Sequence, residues 1–104
     1  MIPEIDQTTF AARLAEDDVL VVDVRESHEF RPGHVPGATN MPLSVLSAWL
    51  PELPRDRPVY VICQSGNRSA RATALMRGVG IDAVNVAGGT GQWVAAGRPV
   101  VTAA

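Results

Sequence analysis

The chain contains no lysine; all nine of its basic residues are arginine. That absence rules out a Gly-Lys-Ser/Thr phosphate loop and with it a Walker-type nucleotide site. The arginine bias, beside abundant alanine and valine, fits a GC-rich coding sequence and implies no mechanism. There is one cysteine, Cys63. An intrachain disulfide, a Cys-x-x-Cys redox pair and a multi-cysteine metal site are therefore excluded. Two histidines without ligand-like spacing do not complete a metal set, so no metal and no cofactor is expected. Charge is also scarce: a formal net charge of -2 and a pI near 5.5 give no electrostatic case for nucleic acid or an anionic membrane. No apolar run approaches the roughly 18 residues that a bilayer span needs. The segment Met1-Ile2-Pro3-Glu4-Ile5-Asp6 lacks the basic and apolar regions of a secretory signal. A lone thiol suits a reducing compartment, and the expected setting is cytoplasmic.

What is present describes a globular chain. Apolar residues make up 46% and charged residues 19% of 104 residues, which argues against disorder and for one domain with one real core. The expected domain covers residues 4–100, with 101–104 as a short tail. There is no internal repeat and no low-complexity segment.

Read in order, short strands alternate with helices. Glu4-Ile5 suits a first strand. Asp6, Thr8 or Thr9 can cap a helix in which Phe10, Ala11 and Leu14 recur at helical spacing. Asp17-Asp18 reads as a polar turn. The run at 19–24 is continuously apolar and β-branched up to Asp23, as in a strand covered on both faces. Residues 25–30 form a short helical turn. Two prolines and two glycines make 31–38 a loop with defined turns. Thr39-Asn40-Met41 is a very short strand stopped by Pro42. Ser44 is placed as an N-cap for a helix at 45–50, and 51–58 is a proline-rich connection. A strand at 59–62 leads into Cys63, and a helix begins at Asn67 or Ser69 and ends at Gly78 or Gly80. A last strand at 83–86 and a short helix from Gly88-Gly89 to about Ala96 complete the pattern. Such alternation implies an α/β fold with a mostly parallel sheet, whose ligands bind beyond the carboxyl ends of the strands. Cys63 and the Asp23-Val24-Arg25 segment both sit at such ends.

The stretch Cys63-Gln64-Ser65-Gly66-Asn67-Arg68-Ser69 carries the chemistry. A free thiol has a pKa near about 8.5, and a helix N-terminus stabilises its thiolate. Residues 64–69 offer successive backbone N–H donors, and Gly66 lets the backbone curl without a Cβ clash. Arg68 adds a positive charge. The same cradle suits an anionic sulfur added to Cys63. The alternative is a buried structural cysteine, but so polar a loop is not needed to end a strand.

These residues resemble the rhodanese-like domain family, single-domain sulfurtransferases. Three blocks carry the resemblance across about residues 4–99. They are Val22-Asp23-Val24-Arg25-Glu26 with Glu29-Phe30 and Gly33-His34-Val35-Pro36-Gly37-Ala38; the Val59 to Ala70 stretch; and Gly88-Gly89…Trp93…Gly97-Arg98-Pro99. The resemblance implies a five-stranded sheet flanked by helices. It also implies a ping-pong reaction in which the Cys63 thiolate takes the outer sulfur of a donor such as thiosulfate. The resulting persulfide then yields that sulfur to a thiophilic acceptor: cyanide, a thiol or a partner protein. Catalysis is assigned to Cys63, substrate binding to Gln64, Ser65, Gly66, Asn67, Arg68 and Ser69, and support to Asp23 and Arg25.

Many members carry a basic residue directly after the cysteine, where this chain has Gln64. Gln64 hydrogen-bonds an anion without neutralising it, so a weakly charged persulfide competes with thiosulfate as donor. Related phosphatases close a longer loop as Cys-x5-Arg. Here Arg68 comes one residue early and Ser69 holds the sixth position, a smaller cradle that fits one sulfur better than a phosphoryl or arsenate group. The other alternative is a sulfur-relay or binding module acting on a partner protein.

The remaining candidates have structural readings beside functional ones. Asp23 and Arg25 match a family pair near the loop, or form an ion pair or cap, with Arg25 able to reach Glu29. His28 and His34 are conceivable bases, although the resemblance gives His34 a structural hydrogen bond. Trp49 and Trp93 are read as core or rim packing, with Trp93 a candidate for the pocket mouth. Asn67 and Ser69 are read as caps of the helix that follows the loop.

Overall fold

The computed structural model describes residues 1–16 and 19–103. The expected turn at Asp17-Asp18 lies outside them. Five strands form one sheet: β1 (Glu4–Ile5), β2 (Leu20–Asp23), β3 (Thr39–Asn40), β4 (Val59–Ile62) and β5 (Ala83–Val86). Their spatial order is β1-β5-β4-β2-β3, and every pairing is parallel. The helices are α1 (Gln7–Leu14), α2 (Ser27–Phe30), α3 (Leu46–Trp49), α4 (Asn67–Gly78) and α5 (Gly89–Ala95).

Alternation along β2 and β4 sends side chains to two separate cores, one on each face of the sheet. Val22, Val24, Val59, Val61 and Cys63 meet Leu46, Leu53, Ala72 and Met76 on one face. Val21, Tyr60 and Ile62 meet Phe10, Val35, Val86 and Trp93 on the other. This is why both strands read as unbroken apolar runs. It also fixes Cys63: two residues beyond Val61, it inherits the α4 face. On α4, Ser69, Ala72, Thr73 and Met76 are the buried positions, a helical stripe turned to the sheet.

Asp6 is the cap of α1, its carboxylate accepting from the Thr9 N–H at 2.7 Å. Ser44 is not a cap. Its hydroxyl donates to the Glu26 carboxylate at 3.1 Å, and the segment around it is divided into a 3-10 turn (Leu43–Val45), α3 and a second 3-10 turn (Leu50–Glu52). Pro51 supplies no N–H, so an α-helix cannot continue through it. Trp49, on this short helix, stays 42% exposed and does not join the core. Residues 99–103 are tied back to the domain. His34 and Val101 exchange backbone hydrogen bonds at 2.9 and 3.0 Å, and Ala103 N–H donates to Arg31 O at 3.0 Å.

Candidate active site

β4 delivers Cys63 to the carboxyl edge of the sheet, next to the end of β2, and α4 starts four residues later. Gly66 makes the turn at φ 104°, a left-handed conformation that side chains resist, and it precedes the first helical residue. Its N–H donates to Cys63 Sγ at 3.1 Å, and the buried Ser69 hydroxyl donates at 3.3 Å. Burial of Cys63, only 1% exposed, pushes its thiol pKa up. The Ser69 hydroxyl and the N–H groups of Ser69, Gly66 and Ser65 together outweigh that and bring it below the ordinary value. The thiol is thus acidified chiefly by neutral dipoles at a helix start.

The loop points its N–H groups inward because its carbonyls are held outward. Cys63 O accepts from Thr90 N–H at 2.8 Å, and Gln64 O accepts from Gly91 N–H at 2.9 Å, both at the start of α5. Gly66 O accepts from Ala70 N–H at 3.1 Å and from the buried Asn85 Nδ2 on β5 at 3.3 Å. Gly89 lets α5 come this close, since a Cβ there would stand 2.5 Å from Cys63 O and 2.6 Å from Gln64 O. Gly89, Thr90, Gly91 and Asn85 therefore shape the site, although only the Gly88-Gly89 pair stood out in the sequence, and then as a turn.

Arg25 reaches the loop, and Asp23 holds Arg25. The buried Asp23 carboxylate accepts from Arg25 N–H, Nε and Nη2 at 3.0, 3.1 and 2.9 Å. Arg25 in turn donates to Gly33 O at 2.9 Å and to Gln64 Oε1 at 3.3 Å. The expected Arg25–Glu29 pair does not form. Glu29 holds Arg68 instead, through Nη1 at 2.6 Å and Nη2 at 2.8 Å, and this pairing draws the Glu29 pKa down to about 2. Arg68 therefore brings to the loop a guanidinium that is already paired with a carboxylate.

The cap reading of Asn67 and Ser69 is also corrected. No side chain caps α4: Asn67 is its exposed first residue, and Ser69 donates to sulfur. His34 is buried, stacked on Phe30 at 3.6 Å with Nδ1 on Phe30 O at 2.9 Å, as a structural residue would be. His28 is exposed on α2. Trp93 lies in the core opposite Cys63, edge-on to Phe10, with Nε1 donating to Pro99 O at 2.7 Å, so it does not line the mouth. Among the described residues no group of three or more His, Cys, Asp or Glu is placed to hold a metal ion, and no helix is long and apolar enough to cross a membrane.

Known proteins are similar to this chain in sequence and fold. A sulfurtransferase of Allochromatium vinosum is 38% identical over 103 residues, covering 97% of this chain and 96% of that protein. A thiosulfate sulfurtransferase of Pseudomonas savastanoi is 31% identical over 84 residues, covering 80% and 79% of the two chains. The crystal structure of a rhodanese-related protein from Thermoplasma volcanium superposes with a TM-score of 0.90 at 34% identity, over 97% of this chain and 99% of the other. The family model of the rhodanese-like domain matches residues 6–96, and with the cysteine loop and sheet order described above the chain belongs to that family.

Proposed function

We propose that this protein is a sulfurtransferase that carries sulfane sulfur on Cys63. The observation that supports this best is the sulfur's own environment. Sγ sits at a strand–helix junction, accepts from Gly66 N–H and the Ser69 hydroxyl, and has a lowered pKa. The thiolate attacks the outer sulfur of thiosulfate or a persulfide. The donor's S–S bond breaks with its electron pair on the departing sulfite or thiol, and Cys63 holds the transferred sulfur as a persulfide anion. The donors that favoured the thiolate remain to favour that anion. A thiophilic acceptor (cyanide, a small thiol or a protein thiol) takes the sulfur and restores the Cys63 thiolate. No second cysteine is needed, because the sulfur is carried and not resolved into a disulfide. A cytoplasmic setting, which keeps Cys63 reduced, fits this cycle.

The test is mass spectrometry of protein treated with thiosulfate and, separately, with cysteine persulfide. The expected result is one added sulfur on Cys63, removed by cyanide as thiocyanate and absent from Cys63→Ser. Absence of the adduct with both donors overturns the reading.

A further inference from the structure

Two arginines reach the Cys63 loop, and each is held by a carboxylate. Arg25 is buried against Asp23. Arg68 lies near enough for the Cys63 charge to act on it, but both of its terminal nitrogens are on Glu29. Glu29 is itself fixed, since Oε1 also accepts from Glu26 N–H at 3.1 Å in the capping box of α2. Both guanidinium groups that reach the loop are therefore paired with a carboxylate. That balance weighs on the choice of donor. Thiosulfate is a dianion that must bring its outer sulfur to a thiolate. A hydropersulfide is neutral, and its anion carries one charge. A mouth without surplus positive charge gives a dianion little to offset that repulsion and its lost hydration.

We propose that Glu29 sets the donor preference of Cys63. By holding Arg68 in a two-point ion pair, it withholds that guanidinium from anionic donors and biases the site toward persulfides over thiosulfate. The proposal rests on the sulfurtransferase reading and makes Glu29 a positioning residue that acts through Arg68. A role confined to tethering α2 to α4 predicts no effect on charge at the sulfur.

Glu29→Gln separates the two, because the amide keeps an oxygen to accept from Glu26 N–H while leaving the Arg68 charge uncancelled. Its rate of Cys63 persulfidation by thiosulfate, relative to that by cysteine persulfide, is expected to rise about five- to tenfold, the scale of one nearby unscreened charge. The gain should vanish in Glu29→Gln/Arg68→Gln. A second readout needs no sulfur transfer. Alkylation of Cys63 by iodoacetate relative to iodoacetamide, reagents of like size and different charge, should rise by a similar factor in Glu29→Gln. An unchanged alkylation ratio in folded Glu29→Gln overturns the proposal. If that variant does not fold, the wild-type protein decides. Its iodoacetate rate should stay flat or rise with added salt, and a steep fall would reveal free positive charge at the mouth and overturn the proposal. Failure of both donors to leave sulfur on Cys63 would instead overturn the sulfurtransferase reading, and the donor preference with it, while the alkylation ratio would still report whether Glu29 controls charge there.

Discussion

Gly89 stands against the backbone of Cys63 so closely that no other residue fits: a Cβ would lie 2.5 Å from the Cys63 carbonyl oxygen. The contact joins the start of α5 to the loop, and the neighbouring Thr90 N–H uses it to reach that same oxygen at 2.8 Å. The helix thereby orients the peptide that leaves the reactive residue.

Gly89→Ala should accordingly damage the site more than the fold. Backbone atoms cannot swing aside as a flexible side chain does, so the loop must shift. We expect a loss of about 1–3 kcal/mol in urea unfolding, the usual scale of overpacking. We also expect at least a roughly tenfold slower persulfidation of Cys63, because a misplaced nucleophile is costly. Gly97→Ala is the control. Gly97 is also left-handed, at φ 75°, but a Cβ there meets nothing within 4 Å. That variant should lose stability through strain and keep normal Cys63 kinetics. Equal kinetics in the two variants would remove Gly89 from the site.

Ser69→Ala removes the hydroxyl that contributes most to lowering the Cys63 pKa. The bell or sigmoid of alkylation rate against pH should move to higher pH, and the rate at neutral pH should fall roughly tenfold, as when a hydrogen bond to a charged group is lost. Ser69→Thr keeps the hydroxyl and should restore the profile if its methyl group is accommodated. An unshifted profile for Ser69→Ala would mean that the backbone donors suffice alone.

Much of this site could be read from the chain, and the unread part has a common cause. Cys63 and Gly66 were legible because local sequence dictates both: an apolar strand ends, a cysteine follows, and a glycine permits the turn. β4 and β5 fell where their apolar runs placed them, at Val59–Ile62 and Ala83–Val86. Partners were not legible. Glu29 and Arg68 lie 39 positions apart, as do Arg25 and Gln64. Only the crossover between β2 and β4 brings them together. Ser69 illustrates the limit within one segment: at a helix start it reads as a cap, and tertiary packing turns its hydroxyl to sulfur.

Asp23 and Arg25 give a prediction on stability. Their side chains are 0% and 4% exposed, so neither charge can be rescued by water. Asp23→Asn keeps the shape and strands the Arg25 guanidinium among Gly33 O and Gln64 Oε1. Breaking one side of such a pair costs about 3–5 kcal/mol. Thermal and urea unfolding should show this loss, and because Arg25 touches Gln64 the surviving folded fraction should also persulfidate more slowly. A change below about 1 kcal/mol, the range of a surface pair, would mean that the buried pair stabilises the fold little.

The Glu29–Arg68 pair should appear in the pH dependence of folding. The Glu29 pKa falls from 4.5 in the free group to about 2 in the folded protein. A folded-state pKa below the unfolded one means that unfolding takes up a proton between those values, so stability falls as pH is lowered. The contribution is fully present above about pH 4.5 and is lost progressively toward pH 2. Glu29→Gln has no such proton to bind. Its stability should therefore fall less steeply across that window, while above it the variant should be the weaker protein. Both side chains are partly exposed, at 36% for Arg68 and 28% for Glu29, so added salt should shrink the difference. Urea midpoints at several pH values, with and without salt, measure each of these trends. Parallel pH profiles for the two proteins would show that Glu29 titrates normally and that the ion pair is not maintained in solution.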